Sequence, residues 1–490
     1  MSTAVVVGSG PNGLGAAIRL AQAGLSVTVL EAADRPGGGT HTSELTLPGL
    51  LHDDCAAIHP TGVASPLLSS LGLERHGLRW LWPEVDLAHP LDDGRAGVLS
   101  RDMARTEASL GSGDGAAWRR LFAPLVADFA KIADEVLRPV LHLPRHPAAL
   151  ARFGVAALPP ATWMTRYWRE EPARALYLGS AAHVFGRLDT PLSGSVGLLL
   201  TTAGHAVGWP VAEGGSYAIT DAMIRCLESL GGSVRTGVEV AGLDQLPGLL
   251  GHTPDFVMLD TSPRAAARIV GDRLPARVRR SLNRYRHGPA AYKVDFAIDG
   301  DVPWTNEECR RAGTLHLGGS AAEIAAAEAA TARGVMPKRP FVLVGQQYLA
   351  DPSRSVRRAN PLYAYAHVPH GHAGSALEAV TAQIERFAPG FRRRILAVHA
   401  RSVPRLAAGN QNYVGGDIAG GSNHARQLVF RPRASLDPYS LGVPGVYLCS
   451  ASTPPGAGVH GMCGLRAAES ALSRLGAGRA IVQAWRGHRG

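Results

Sequence analysis

The chain has almost no lysine. Only Lys131, Lys293 and Lys338 occur, so arginine supplies nearly all of a formal net charge of +10. The arginines are dispersed, with no run of five or six basic residues and no basic stretch interleaved with aromatics. Positive charge draws nucleic acid where it is clustered, so no nucleic-acid partner is expected. Cysteine is scarce as well: Cys55, Cys226, Cys309, Cys449 and Cys463 form no C-x-x-C pair. That spacing excludes a disulfide framework and argues against a structural zinc site; no metal is expected. No stretch reaches about 18 uninterrupted apolar residues, so no membrane span is predicted. No basic segment precedes the short apolar run at 4–7. A secretory signal is therefore not predicted, and a reducing cytoplasm is the expected location.

What is present is core-forming material. Hydrophobic residues make up 46% of 490 residues and charged ones 18%, too apolar for a disordered chain. At one domain per ~150 residues the length predicts two or three domains. No internal repeat or low-complexity tract is visible.

The first forty residues carry the most information. Ala4, Val5, Val6 and Val7 read as a buried parallel strand. Gly8, Ser9, Gly10, Pro11, Asn12 and Gly13 follow as a G-x-G-x-x-G turn, and 14–23 has helical spacing ended by Gly24. A second strand spans 26–30, with Glu31 at its end. Strand, glycine turn, helix, strand and acid together form a dinucleotide-binding unit. Gly8 permits the tight turn, Gly10 lets backbone approach a pyrophosphate, and Gly13 lets helix pack on strand. The helix N-terminus offers unpaired N–H groups to phosphate. Glu31 is placed to accept from ribose hydroxyls and disfavours a 2′-phosphate, so FAD or NAD fits better than NADP.

The following run, Glu31, Ala32, Ala33, Asp34, Arg35, Pro36, Gly37, Gly38, resembles the second glycine motif of the flavin amine oxidase and phytoene desaturase superfamily. The resemblance implies that the acid binds ribose and that the paired glycines lie against the FAD phosphates. Many members carry an arginine next; this chain has Gly39. Near the other end, a strand pattern at 445–449 leads into Ser450, Ala451, Ser452, Thr453, Pro454, Pro455, Gly456, Ala457, Gly458, Val459, His460, Gly461 and Met462, then an amphipathic helix at 465–475. The P-G-A-G element at 455–458 is similar to the C-terminal flavin motif of phytoene desaturases. There the turn passes beside the isoalloxazine, and the helix N-terminus stabilises the reduced ring.

In between, a helical run at 217–230 is followed by a turn and strand at 231–240, in which the resemblance places Val238 against the adenine. A further strand is expected at 255–260. The fold class implied is α/β: a Rossmann-like FAD-binding domain of the two-dinucleotide-binding type, with a mixed-sheet substrate domain and a helical cap. The FAD domain is assigned to 1–60, 208–285 and 438–490, and the substrate domain to 61–207 and 286–437. Helices are expected through 115–200, around Trp118, Leu121, Leu125, Phe129, Ile132 and Val136. Strands are expected at 292–298, 341–346 and 362–368, and a solvent-facing Ala/Glu-rich helix at 322–332.

The resemblance also singles out side chains. Lys293 matches the amine oxidase lysine that holds a water against flavin N5, whereas an ordinary strand lysine would face solvent. His460 lies inside the flavin motif and is a candidate acid or base, as a group whose ordinary pKa is near 6.5. His59 follows the first FAD segment, where the family's chain passes toward the ring, and Tyr413 sits in a turn-rich loop expected to line the cavity; both are candidate substrate contacts. Asp417 falls where monoamine oxidases carry their flavin-linking cysteine, so non-covalent FAD is expected. The activity implied is hydride transfer from an apolar small molecule to flavin N5, with oxygen or a quinone as electron acceptor. A route through NADPH is disfavoured because one dinucleotide fingerprint is visible. Alternatives on the same fold are oxidation of a C–N bond, flavin-assisted saturation, isomerisation or cyclisation of a polyene, and a non-enzymatic binding role like that of Rab escort proteins and GDP-dissociation inhibitors. Weak peripheral membrane contact through 141–164 is a further alternative.

Overall fold

The computed structural model describes residues 2–487; residue 1 and residues 488–490, at the outer ends of the assigned FAD segments, lie outside the described residues. Two sheets organise the chain. The first is parallel and five-stranded, in the order Val446–Leu448, Phe256–Leu259, Thr3–Val7, Ser26–Leu30, Ser233–Arg235. Its central strand is buried on both faces, as a β-branched run in a parallel sheet must be. Ala4 and Val6 pack with Val27, Val29 and Met258 against the helices Pro11–Gln22 and Tyr217–Ser229. Val5 and Val7 pack with Leu30, Val257 and Leu259 toward Pro263–Val270. The strands come from three separated stretches, because neighbours in the sheet are far apart in sequence.

The second sheet has seven strands, ordered Ile395–Arg401, Ala290–Asp299, Ala359–Val368, Val342–Gly345, Ala312–Leu317, Val85–Pro90, Ala96–Leu99. It is antiparallel except where Ala312–Leu317 runs beside Val85–Pro90. The side-chain period of two divides Ala359–Val368 between two environments. Leu362, Ala364, Ala366 and Val368 enter a core beneath the sheet. Tyr363 and Tyr365 face the other way with Leu343 and Phe185. Over that side lies a cap of helices including Ser112–Ala127, Phe129–Val136, Glu171–Ala181 and Gly194–Ala206. Trp118, Phe122, Trp168 and Tyr177 fill its interior.

Three sequence expectations need correction. The strand after Tyr217–Ser229 is short, Ser233–Arg235. Gly237 then turns the chain with φ +67, so Val238 lies beyond the strand and its N–H donates to the Glu31 carbonyl at 2.8 Å. The helix Ala321–Ala332 is not merely solvent-facing: Ala321, Ile324, Ala327, Glu328 and Thr331 form a buried stripe. Alanine hides that stripe from a hydrophobicity pattern, because a methyl group contrasts little with its surroundings. The last helix begins at Met462, three residues before the expected start, and runs Met462–Gly487. Among the described residues no helix is long and apolar enough to cross a membrane. The segment 140–167 does expose Val140, Leu141, Leu143, Val155, Leu158, Trp163 and Tyr167.

A buried ionic knot joins the two halves. Arg354, wholly buried, donates from Nη1 to Asp53 Oδ2 at 2.5 Å, from Nε to Asp351 Oδ2 at 3.1 Å and from Nη2 to the Ala212 carbonyl at 2.7 Å. Asp53 also receives the Ser216 N–H at 2.7 Å and the Thr42 hydroxyl at 3.0 Å. Removing one partner leaves buried carboxylates uncompensated. Arg354→Met is therefore expected to lower unfolding free energy by about 3–5 kcal/mol, read from urea denaturation; a loss below about 1 kcal/mol contradicts this role.

Candidate functional site

Helix packing brings the two glycine-rich segments together. Pro11–Gln22 and Met462–Gly487 cross so tightly that a Cβ on Gly464 would stand 1.7 Å from the Asn12 carbonyl oxygen. A cavity of about 420 Å³ lies at this junction. Gly10, Pro11 and Asn12 line one end, Gly38, Gly39 and Thr40 the next part, and the turn from Ser450 to His460 the middle. It ends between the cap and the second sheet, among Ile58, His183, Phe185, Trp209, Tyr363 and Tyr365.

At the first end, Glu31 is held by hydrogen bonds from Ser9 N–H at 2.9 Å, Ser9 Oγ at 2.6 Å and Ala33 N–H at 2.9 Å. Ser9 Oγ in turn accepts from Gly37 N–H at 3.1 Å, tying the two glycine motifs together. A Cβ on Gly38 would lie 3.1 Å from Gly10 Cα, so the two backbones touch. Asn12 is buried, and its Oδ1 has no protein partner. This end fits a dinucleotide: a helix N-terminus for pyrophosphate, a fixed carboxylate for ribose, and a buried, unpartnered polar atom beside the lining. Gly8 and Gly13 pack behind it on Asp260. Ala32 and Arg35 are exposed; Arg35 stacks over Tyr217 at 4.9 Å and does not line the cavity. Val238 is joined to Glu31 through the backbone. Gly39 has its own reason: a Cβ there would meet Tyr413 Oη at 2.5 Å, so the tyrosine occupies room an arginine would need.

In the C-terminal turn, Ser450, Ala451, Gly458, Val459 and His460 all line the cavity. Ser450 and Ser452 hydroxyls bond at 3.0 Å, and Thr453 Oγ1 donates to the Ser450 carbonyl at 2.8 Å. Met462 is wholly buried, packed with Leu67, Ala133 and Leu137. Its N–H donates to His460 Nδ1 at 3.0 Å, which caps the long helix. Burial lowers the His460 pKa to about 4 against the pull of the Ala457 and Gly456 carbonyls. The ring is neutral, and its Nδ1 lone pair is committed to the backbone.

The far end is aromatic. Tyr363 and Tyr365 meet edge to face at 5.9 Å, and Phe185 stacks on Tyr365 at 6.1 Å. Phe185 has φ +51, a conformation a bulky residue adopts only when its surroundings hold it there. Tyr413 also lines the cavity. Lys293 and His59 do not. Lys293 stands opposite Tyr365 on the cap-facing side of the sheet and is buried there, its ammonium paired with Asp295 and lying 3.7 Å from the centre of the Tyr363 ring; burial lowers its pKa against the pull of Asp295. His59 turns away to Ser216 Oγ at 2.8 Å, although its neighbours Ile58 and Pro60 line the space. Asp417 is buried, accepting from Gly288 N–H at 2.9 Å and Ala419 N–H at 2.8 Å. Sequence reasoning missed Asp260, His183, Phe185, Trp209, Tyr363 and Tyr365. The alternation of Tyr363 and Tyr365 with Leu362, Ala364 and Ala366 was a usable signal; the others have none in their local sequence.

Comparison with known proteins bears on the fold. Residues 6–71 match the NAD(P)-binding Rossmann-like domain. Over 555 aligned residues the chain is 24% identical to pyridine nucleotide-disulfide oxidoreductase domain-containing protein 2 of Rattus norvegicus, covering 95% of this chain and 92% of the relative. It is 29% identical over 250 residues to hydroxyneurosporene desaturase of Cereibacter sphaeroides, covering 48% and 50% of the two chains. Among solved structures, putrescine oxidase bound to putrescine superposes with TM-score 0.61 at 18% identity, over 97% of this chain and 99% of that one. The α/β fold read from the sequence is thus borne out, as is the resemblance to the desaturases and flavin amine oxidases.

Asp260 controls the electrostatics of the dinucleotide end. It lines the cavity, is 7% exposed, and accepts the Gly13 N–H at 3.0 Å. Burial raises its pKa to about 7; the Gly13 and Gly10 amides pull it down, and the Glu31 carboxylate pushes it up. A carboxyl whose folded pKa exceeds its unfolded value stabilises the fold in its protonated form. Its contribution is complete below the unfolded value of 3.8 and is lost as pH rises through about 7. Asp260→Asn fixes the neutral form. Between pH ~5 and ~8 the variant is expected to lose about 2–3 kcal/mol less stability than the parent, read from urea midpoints; parallel pH profiles contradict the assignment.

Proposed function

We propose that this chain is an oxidoreductase that binds FAD non-covalently and removes two electrons from an apolar small molecule. The reading is carried by the continuity of the cavity, which joins the backbone of two glycine motifs to an aromatic chamber of different chemical character, with the Glu31 carboxylate fixed by Ser9 outside its lining. Glu31 would hold the ribose, the amides at Gly10 and Asn12 the pyrophosphate, and Ser450, Ala451, Gly458 and Val459 the flavin ring. When bound, FAD supplies a two-electron acceptor that takes hydride from a substrate C–H bond.

The chain's own residues bind, orient and exclude. Tyr363, Tyr365, Phe185 and Trp209 surround the chamber with ring faces and edges that accept apolar surface and keep water out. The Tyr363 hydroxyl bonds the Cys55 carbonyl at 2.5 Å, which fixes the ring. Burial raises the pKa of both tyrosines far above neutrality, so they stay protonated. His460 positions the turn by capping the helix behind it. Oxygen or a quinone would then reoxidise the flavin, with Lys293 on the cap-facing side of the sheet against the Tyr363 ring. Oxidation of a C–N bond is a second reading on the same machinery, favoured by aromatic faces that attract an ammonium.

The purified protein is expected to show flavin absorption bands, or to gain them on adding FAD, and to release the flavin into the supernatant on acid precipitation. Glu31→Ala should weaken FAD binding by about tenfold to a hundredfold, the loss of charge-assisted hydrogen bonds, without changing the mixed-sheet core. Protein that takes up no FAD overturns the proposal and favours a binding role; yellow precipitate overturns the non-covalent part alone.

A further inference from the structure

A single arginine stands on the cavity wall, and no acid answers it. Arg431 lines the cavity and is 1% exposed, so its guanidinium is shut off from the outer surface. It is charged at any working pH. Nη2 donates to Asn423 Oδ1 at 2.9 Å and lies 3.5 Å from the Gly421 carbonyl. Nε is buried without a partner. Nη1 has no hydrogen-bond partner among the described residues and keeps surface open to the cavity. A Cβ on Gly456 would collide with Nη1, which sets this nitrogen against the turn that forms the middle of the cavity. Asn423 in turn donates from Nδ2 to the Val184 carbonyl at 3.0 Å, so the guanidinium is tied to the residue before Phe185. Ile418, on the same loop as Asn423, packs with Phe185, Tyr363 and Tyr365.

Among the described residues no carboxylate comes within 4.0 Å of this guanidinium. The groups around it are neutral or held by others. Tyr285, buried beside it, donates its hydroxyl to the Gly420 carbonyl at 2.9 Å. The Cys463 thiol, pushed up to about 12 by burial, donates to the Thr453 and Gly456 carbonyls. Asp417 accepts from the amides of Gly288 and Ala419 and stands 3.2 Å from His287 Nδ1. Asp260, the one acid on the cavity wall, is raised to about 7 with no arginine pulling it down. A buried ion without a counter-charge costs several kcal/mol, and the open nitrogen faces the space where a ligand enters. We propose that Arg431 receives, at Nη1, the carboxylate of an apolar acid, an aryl- or alkyl-carboxylic acid whose hydrocarbon part lies in the aromatic chamber. That this acid is what the flavin oxidises rests on the proposed function; the anion site itself does not.

4-Phenylbutyrate, its methyl ester and 4-phenylbutanol test this by calorimetric titration of the purified protein, with and without added FAD. The acid is expected to bind about tenfold to a hundredfold more tightly than the ester or the alcohol, the worth of a hydrogen bond to a charged group in a buried site. A helix N-terminus also attracts anions, so the variant assigns the site: in Arg431→Met the preference should vanish while the ester binds as it does to the parent. In parallel, anomalous diffraction from parent crystals soaked in 4-(4-bromophenyl)butyrate should place the bromine among Phe185, Tyr363 and Tyr365 and the carboxylate on Arg431, a readout that needs no variant. Equal binding of acid and ester, no saturable binding of the acid, a preference that survives in Arg431→Met, or a carboxylate placed away from Arg431 each overturns the proposal. A preference present without FAD but absent in flavin-loaded protein overturns this inference alone; a preference that Arg431→Met abolishes in protein that takes up no FAD supports it while overturning the flavin reading.

Discussion

The site depends on one contact between helices from opposite ends of the chain. Pro11–Gln22 and Met462–Gly487 approach until Gly464 lies on the Asn12 carbonyl and Gly15 lies beside Gly461. Any side chain at Gly464 would drive them apart. Because the helices touch there, the turn from Gly8 to Gly13 and the turn from Ser450 to His460 become two walls of one space. His460 serves the same contact from within, since its Nδ1 holds the first amide of the second helix.

The second constraint is the two-residue period of the mixed sheet. Along Ala359–Val368, small and aliphatic residues go down into the core, and Tyr363, Tyr365 and His367 go up. The upper face is aromatic and polar beneath a cap whose own interior is dry. Burial keeps the tyrosines there protonated and keeps His89, His183 and His316 neutral. A chamber with neutral rings at its wall orients a ligand by hydrogen bonds and shape.

Much of the dinucleotide half was legible in the residues, for a physical reason. Its strands, turn and acid are contiguous, so Ser26–Leu30 and Glu31 emerge where their local pattern puts them. Gly39 was legible as a departure but not its cause, because Tyr413 arrives from a distant loop. Lys293 and His59 were identified as residue types with fitting chemistry; His59 turns to Ser216, and Lys293, on the cap-facing side of its strand, sits against the Tyr363 ring without lining the cavity. Asp260 and His183 left no local trace. One follows an ordinary buried strand and the other follows the helix Glu171–Ala181, and each reaches the cavity only through its packing against other elements. The helix Ala321–Ala332 teaches the same lesson in packing: its buried face is built of alanines, and Glu328 enters the core because His367 is there to meet it at 2.8 Å.

The most direct test of the account is a crystal structure of the protein grown with FAD. The account predicts one dinucleotide along the described cavity, with its adenosine ribose hydroxyls on Glu31, its pyrophosphate at the start of Pro11–Gln22, and its ring reaching the turn that contains Gly458. Density for the dinucleotide elsewhere, or an empty cavity in protein saturated with FAD, would contradict it.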